Sequence, residues 1–223
     1  KYLADRAQIP LPEVKYDDDK IKAQKQKRER LLALLKDTAM FYVKNYRSEQ
    51  GAKHYEYVLK RKYTEETTTK FGIGASLDFN GLPTYLKSKG YTFEEMVESG
   101  ACGEKNGRLF DWLGGRLIIP IIDQFNNVVA FDGRRIDGEK ERKYVNTKET
   151  PVFFKGKTLF NINNLKKLKN EGLLSSIILV EGHLDVVSLS QGGFPNVVAS
   201  MGTAFTKDQA RILKRFADTV YVC

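Results

Sequence analysis

Two places in this sequence carry residue types suited to chemistry. Glu181 follows the apolar, β-branched run Ser176–Val180 (SIILV) and precedes Gly182, while Gly202 and Thr203 follow a second run, Asn196–Ala199 (NVVA), across Ser200 and Met201. In an open parallel sheet, ligands bind beyond the C-terminal ends of the strands. A carboxylate at that edge suits a magnesium ion bridging phosphates, and Gly182 lets the backbone turn closely beside it. Asp185 falls on the first turn of the following helix. From the residues alone, Glu181 is either such a ligand or a solvated loop acid. Asp185 either serves the metal or caps its helix. The second place is Arg134–Lys157, which holds eight basic and four acidic residues, with Tyr144, Phe153 and Phe154 among them. Basic side chains grip phosphates without reading sequence, and exposed aromatics stack bases. The competing reading puts the aromatics in the core. Adjacent strand residues face opposite ways, so one of Phe153 and Phe154 is expected inside.

The elements that must position these residues show in the hydrophobic pattern. The runs Ser176–Val180, Asn196–Ala199 and Thr219–Cys223 are strands, and His183–Gln191 is a helix between the first two. Thr206 with Gln209 three residues later is a capping box, opening a helix that turns Ala210, Leu213, Phe216 and Ala217 inward. Strand–helix–strand–helix–strand implies a parallel sheet with right-handed crossovers. Upstream, Arg116–Asp123 and Val128–Arg134 form a hairpin about Asn126-Asn127. Lys143–Asn146 and Val152–Phe154 are short extended pieces, and Leu159–Leu168 begins a helix.

Before about residue 104 the chain is expected to be helical. Lys20–Arg30 leads into a run with Leu31, Leu34, Leu35, Thr38 and Phe41/Tyr42 at helical spacing. Its basic turns form a solvated face, and Asp17, Asp18 and Asp19 supply acids at its start. Gln50–Tyr63 carries Ala52, Tyr55, Val58 and Leu59 on one face. Leu82–Ser88 and Thr92–Ser99 are short helices, the second opened by a capping box of Thr92 and Glu95. The fold class is α/β: a mixed α+β N-terminal lobe over 1–172, then a parallel βαβαβ unit over 173–223.

Composition sets the frame. The chain has 223 residues, 41% hydrophobic and 11% aromatic, enough to bury a core and to exclude general disorder. No apolar run approaches the roughly 20 residues that span a bilayer. No N-terminal signal pattern is visible, so secretion is not expected. Cys102, Cys223, His54 and His183 lack the paired spacing of a four-ligand zinc site, and a reducing cytosol fits. The net charge is +9, of which residues 1–70 hold +6. That excess reads as a lysine-rich soluble protein or as one with a polyanionic partner.

The stretches VEGHLDVVSL, VVASMGTAFTKDQ and TVYVC resemble the opening half of a Toprim domain, the metal-binding fold of primases and of type IA and II topoisomerases. Three more narrow the likeness to bacterial replicative DNA primases of the DnaG type: GRLIIPIIDQFNNVVAFDGR, RKYVNTKETPVFFKGKTLFNI and YVLKRKYTEETTTKFGIG. The resemblance runs from Lys1 to Cys223. It implies synthesis of short RNA primers on a single-stranded DNA template from ribonucleoside triphosphates, with Mg2+ or Mn2+ and, in this chain, no zinc. Glu181 matches the Toprim glutamate, a metal ligand or general acid/base, with Asp185 a second candidate ligand. Gly202 and Thr203 match the second strand end. Arg134, Lys143 and Lys155 match positions lining the template and nucleotide groove, Arg61 an arginine near the helical start, and Arg116 a basic position at a strand entry. Tyr144 and Asn146 flank Lys143 as nucleotide contacts.

Three positions depart from the family pattern. Lys62 replaces a usual glycine after Arg61, Asp132 a usual glycine before Gly133, and His183 a usual aromatic, where it is expected to pack. The acidic pair expected after the third strand is not in this sequence, so the chain alone is expected to be inactive. The resemblance further implies a replicative helicase partner reached through a region absent here, no membrane association, and a cytoplasmic, nucleoid-associated place. The alternatives are a single-stranded DNA-binding module with an incomplete Toprim unit, or part of a phage or plasmid primase–helicase.

Overall fold

A computed structural model describes residues 6, 8, 18–138, 142–202 and 204–223. The long helix α1 (Asp18–Tyr46) begins with Asp18 and Asp19 in its first turn, and Asp17 lies outside the described residues. Residues 21–30 are all exposed, as a solvated charged face requires. From Leu31 onward the spacing closes on the core, and Leu31, Leu34, Leu35, Thr38, Tyr42 and Tyr46 are buried.

Short helices follow: α2 (Ala52–Lys60), α3 (Glu65–Lys70), α4 (Gly81–Ser88) and α5 (Phe93–Glu98). The expected capping box at Thr92 and Glu95 is present. Lys27 and Arg30 of α1 pair with Glu98 and Glu95 of α5 at 2.7 and 2.9 Å. The inward face of α2 differs from expectation. Gly51, His54 and Val58 are buried, whereas Ala52, Tyr55 and Leu59 are exposed. Gly51 sets that rotation, since a Cβ there would stand 2.3 Å from the Asn45 carbonyl oxygen. Only glycine lets the start of α2 press against the end of α1.

The helical region is interrupted by strands. β1 (Gly74–Ala75) joins β4 (Arg116–Ile122), β5 (Val128–Arg135) and β6 (Tyr144–Asn146) in an antiparallel sheet of order β1-β4-β5-β6. β2 (Cys102–Lys105) and β3 (Arg108–Asp111) form a separate hairpin. The hairpin of β4 and β5 is as expected. Val152–Phe154 is not a strand but part of a turn closed by a bridge between Thr150 and Phe153.

The second sheet has the order β10-β8-β9-β7. β8 (Ile177–Val180), β9 (Val197–Ser200) and β10 (Val220–Val222) run parallel, and β7 (Leu159–Phe160) adds antiparallel to β9. Helices α6 (Ile162–Asn170), α7 (His183–Gln191) and α8 (Lys207–Lys214) accompany it. Leu159 and Phe160 were expected to open α6 but pair as a strand. Asn161, at φ 69°, breaks the chain between them and the helix. In α8 the capping box of Thr206 and Gln209 is present, and Leu213 is buried with Phe216 and Ala217 partly so. Ala210 instead faces out. Gln209 takes the inward place because its amide donates to the Lys155 and Thr158 carbonyls at 3.0 and 2.8 Å.

The two sheets share one core. Its residues run from Tyr46 and Val58 through Leu117, Ile119 and Ile121 to Val180, Leu184, Val187 and Ala199. Helix α7 is also tied to the first lobe by hydrogen bonds. Tyr63 Oη donates to the Leu184 carbonyl at 3.0 Å, and Lys70 Nζ to Ser190 Oγ at 2.9 Å. Gln191 donates to the Lys62 carbonyl and accepts from the Thr64 N–H, both at 2.8 Å. Among the described residues no helix is long and apolar enough to cross a membrane.

Candidate active site

Strand β8 is apolar and largely buried, and the chain reaches the surface where it ends. There Glu181 is exposed, and Gly182 starts α7. A Cβ on Gly182 would stand 2.4 Å from Asp185 Oδ2, so only glycine allows that carboxylate to lie over the turn. Among the described residues Asp185 makes no capping hydrogen bond, and it stands as an acid in the first turn of α7. Among the described residues neither carboxylate has a hydrogen-bond or ion-pair partner. Their oxygens are therefore free for a ligand.

These carboxylates open onto a cleft of about 570 Å³. Arg61, Tyr144, Asn146, Glu181, Asp185 and Gly202, all expected site residues, line it together. Asp132, Gly182, His183, Leu184, Ser200 and Met201 complete the lining. One wall is the pair of strand ends of β8 and β9. The other is the β5–β6 ladder, where Asp132 lies opposite Asn146 and Arg134 opposite Tyr144.

Arg134 is buried behind that wall rather than lining the cleft. Its guanidinium lies between two rings, 4.8 Å from the centre of Tyr144 and 5.4 Å from that of Tyr57. Tyr57 also holds Arg61, whose Nε donates to its hydroxyl at 2.7 Å. Tyr57 thus contacts two of the expected site arginines, a link that the sequence reading missed. Its position four residues before Arg61 on α2, on the same helical face, was the available signal.

Other expected residues are not brought to the cleft. Arg116 is buried, and its guanidinium donates to the Gly114 and Arg142 carbonyls at 3.2 Å each. Burial lowers the pKa of that guanidinium. Lys143 is exposed beside Tyr144, with Nζ 5.9 Å from the ring centre. Lys155 begins a 3-10 turn whose first N–H donates to Glu149 at 3.0 Å. Thr203 and residues 139–141 of the basic stretch lie outside the described residues. Of the two neighbouring phenylalanines, Phe153 is fully buried and Phe154 half exposed.

His183 packs, as expected, with its ring 4.7 Å from that of Phe160. It also makes a polar contact that was not expected: Nδ1 donates to Asp132 Oδ2 at 2.8 Å, in full burial. The signal was present in the sequence, since these are two of the three departures from the family pattern. Distance in the chain hid their pairing.

The donor set fits a hard divalent cation. Two partnerless carboxylates face the cleft without cysteine, which suits Mg2+ held by one or two carboxylates plus substrate phosphates. Among the described residues no group of three or more His, Cys, Asp or Glu gathers as a protein-only cage.

A parallel strand unit with carboxylates at its mouth, facing a basic and aromatic antiparallel sheet, defines a Toprim-bearing catalytic core. Residues 41–166 match the family described as DNA primase catalytic core, N-terminal domain, and residues 175–223 match the Toprim domain. The chain belongs to the DnaG-type bacterial DNA primases. It is similar to a DNA primase of Clostridium acetobutylicum, 41% identical over 226 aligned residues, a match covering 100% of this chain and 36% of that one. It is also similar to the structure of the DnaG primase catalytic domain bound to ssDNA, with TM-score 0.80 and 28% identity over 89% of this chain and 62% of that one. The RNA polymerase domain of Mycobacterium tuberculosis primase DnaG matches with TM-score 0.80 and 30% identity, covering 87% and 66%. The chain thus spans little more than a third of the length of the curated relative.

Proposed function

We propose that this chain forms the cleft of a DNA primase, where short RNA primers are made from ribonucleoside triphosphates on single-stranded DNA. The observation that carries this reading is the single cleft uniting Glu181 and Asp185 with Arg61, Tyr144 and Asn146. A bound Mg2+ or Mn2+ supplies charge neutralisation at the triphosphate. Glu181 and Asp185 would hold that cation, or Glu181 would instead serve as general acid/base beside it. Arg61, steadied by Tyr57, grips a phosphate. Tyr144, backed by the Arg134 guanidinium, offers its half-exposed ring to a base. Asn146 supplies an amide beside it to orient the nucleotide. Such a site works by positioning and charge rather than covalent chemistry.

The single-stranded template as partner is supported by the ssDNA bound to one structural relative. A replicative helicase is proposed as a partner of the full-length protein, and the nucleoid as its place of work. We propose a boundary between N-terminal lobe and Toprim unit at 172/173, which lies in the interval that the two family matches leave open.

The test is primer synthesis by the full-length parent, wild type against Glu181→Gln. The expected outcome is a loss of at least about 10²-fold. Unchanged synthesis removes Glu181 from the reaction.

A further inference from the structure

A chain of buried polar contacts runs beneath the cleft. Asp132 of β5 accepts from His183 Nδ1 at 2.8 Å, and His183 Nε2 lies 3.3 Å from the Ser200 carbonyl oxygen. Ser200 Oγ donates to the Gly202 carbonyl at 2.9 Å. This spine joins three elements: β5 of the first sheet, the first residue of α7, and the end of β9. It passes under both turns that open onto the cleft, the one at Glu181-Gly182 and the one at Gly202.

The spine is costly as structure alone. The side chains of His183 and Asp132 are 7% and 4% exposed, and among the described residues Asp132 Oδ1 has no partner. A buried carboxylate with a bare oxygen lowers stability, and a well-packed apolar pair would generally hold the fold as well or better. What a polar pair adds is direction. Its hydrogen bond fixes the ring, and with it the turn two residues upstream that carries Glu181.

We infer that Asp132 and His183 are positioning residues: together they hold the Glu181-Gly182 and Gly202 turns at a set spacing from the β5–β6 wall. Both stand in the lining of the cleft, but their side chains are buried and turned toward each other. Asp132 acts through His183, and His183 through the turn. This inference rests on the cleft being the cation-dependent site proposed above.

The experiment uses the full-length parent with Mn2+ as probe, its binding read by electron paramagnetic resonance. The forms compared are wild type, Asp132→Ala, His183→Phe and the double variant, with urea unfolding followed in parallel. His183→Phe keeps a ring against Phe160 and removes both nitrogens. The double variant removes both members of the buried pair, so neither is left facing an uncompensated partner, and it is expected to fold. Each variant is expected to bind Mn2+ about tenfold more weakly, and the double no more weakly than the worse single, because all cut the same spine. Asp132→Asn keeps an acceptor for Nδ1–H and is expected to recover most of the affinity. A folded double variant with wild-type Mn2+ affinity overturns the inference, as do single effects that multiply in the double. Wild-type protein that binds Mn2+ but makes no primers would remove the functional reading and leave the binding cycle as the test of the spine.

Discussion

Tyr144 and Arg134 show how one residue depends on another at this site. The Arg134 guanidinium lies behind the cleft wall, 4.8 Å from the centre of the Tyr144 ring that faces the cleft. Tyr144→Ala is expected to weaken binding of a short single-stranded DNA by about 1–3 kcal/mol, the usual worth of one stacked base. Fluorescence anisotropy measures it, and Tyr144→Phe should recover most of the loss. A second residue sets a pH dependence away from the cleft. Asp111 is buried and accepts from Ser76 Oγ at 2.5 Å, the Leu113 N–H at 2.8 Å and Tyr42 Oη at 2.9 Å. Burial pushes its carboxyl up to about 6, against the pull of those donors. Its folded pKa therefore lies above the unfolded value of about 3.9. The folded state holds the proton more tightly, so this contribution is full below pH 4 and is lost as pH rises through 6. Asp111→Asn keeps an acceptor for Tyr42 and Leu113 and does not titrate. The stability of wild type minus variant, from urea unfolding, should fall between pH 4 and 6.5 by on the order of 2–3 kcal/mol. A flat difference would show an ordinary carboxylate.

Helix ends decide two further outcomes. The end of α2 is a Schellman motif: the Lys62 N–H donates to the Leu59 carbonyl at 2.8 Å, and the Tyr63 N–H to that of Val58 at 3.3 Å. Its left-handed position, normally glycine, is Lys62 at φ 60°. The bend follows from the turn's geometry, and Gln191 of α7 braces it from the far side. Lys62→Gly removes the Cβ strain and is expected to raise stability by roughly 0.5–1 kcal/mol in thermal unfolding. At α5, both halves of the Thr92–Glu95 capping box are made, and Arg30 of α1 adds a charge to the same glutamate. Thr92→Ala should cost about 1 kcal/mol, measured by the same unfolding.

The charge of the whole molecule separates into two parts. The lysines and arginines of residues 21–30 are exposed on α1, outside the lining of the cleft. Arg61 lines it, and Lys143 flanks the Tyr144 ring at its rim. If these two contact phosphates, each removed charge flattens the salt dependence of single-stranded DNA binding by about 0.7 in log–log slope. Arg61→Ala and Lys143→Ala should each show that change between 50 and 200 mM salt, whereas Lys22→Gln should not. A slope change for Lys22→Gln would put the template on α1 instead.

The hydrophobic pattern was enough to place the long helix, the β4–β5 hairpin, the parallel unit and both capping boxes, because these follow from local spacing and local hydrogen bonds. It also put Glu181 at a strand end, since β8 is a short apolar run closed by glycine. Errors fell where a neighbour overrode local preference. Gly51 turned α2, Gln209 displaced Ala210, and strand β9 recruited Leu159 and Phe160. Which basic residues reach the cleft was likewise settled in three dimensions. Arg116 is consumed by backbone carbonyls, Arg134 is held behind Tyr144, and Arg61 arrives on a turn clamped to α7. The pairing of Asp132 with His183 is the clearest case. Each residue is visible in the sequence as a departure from the family pattern, but only folding brings two side chains 51 positions apart to within 2.8 Å.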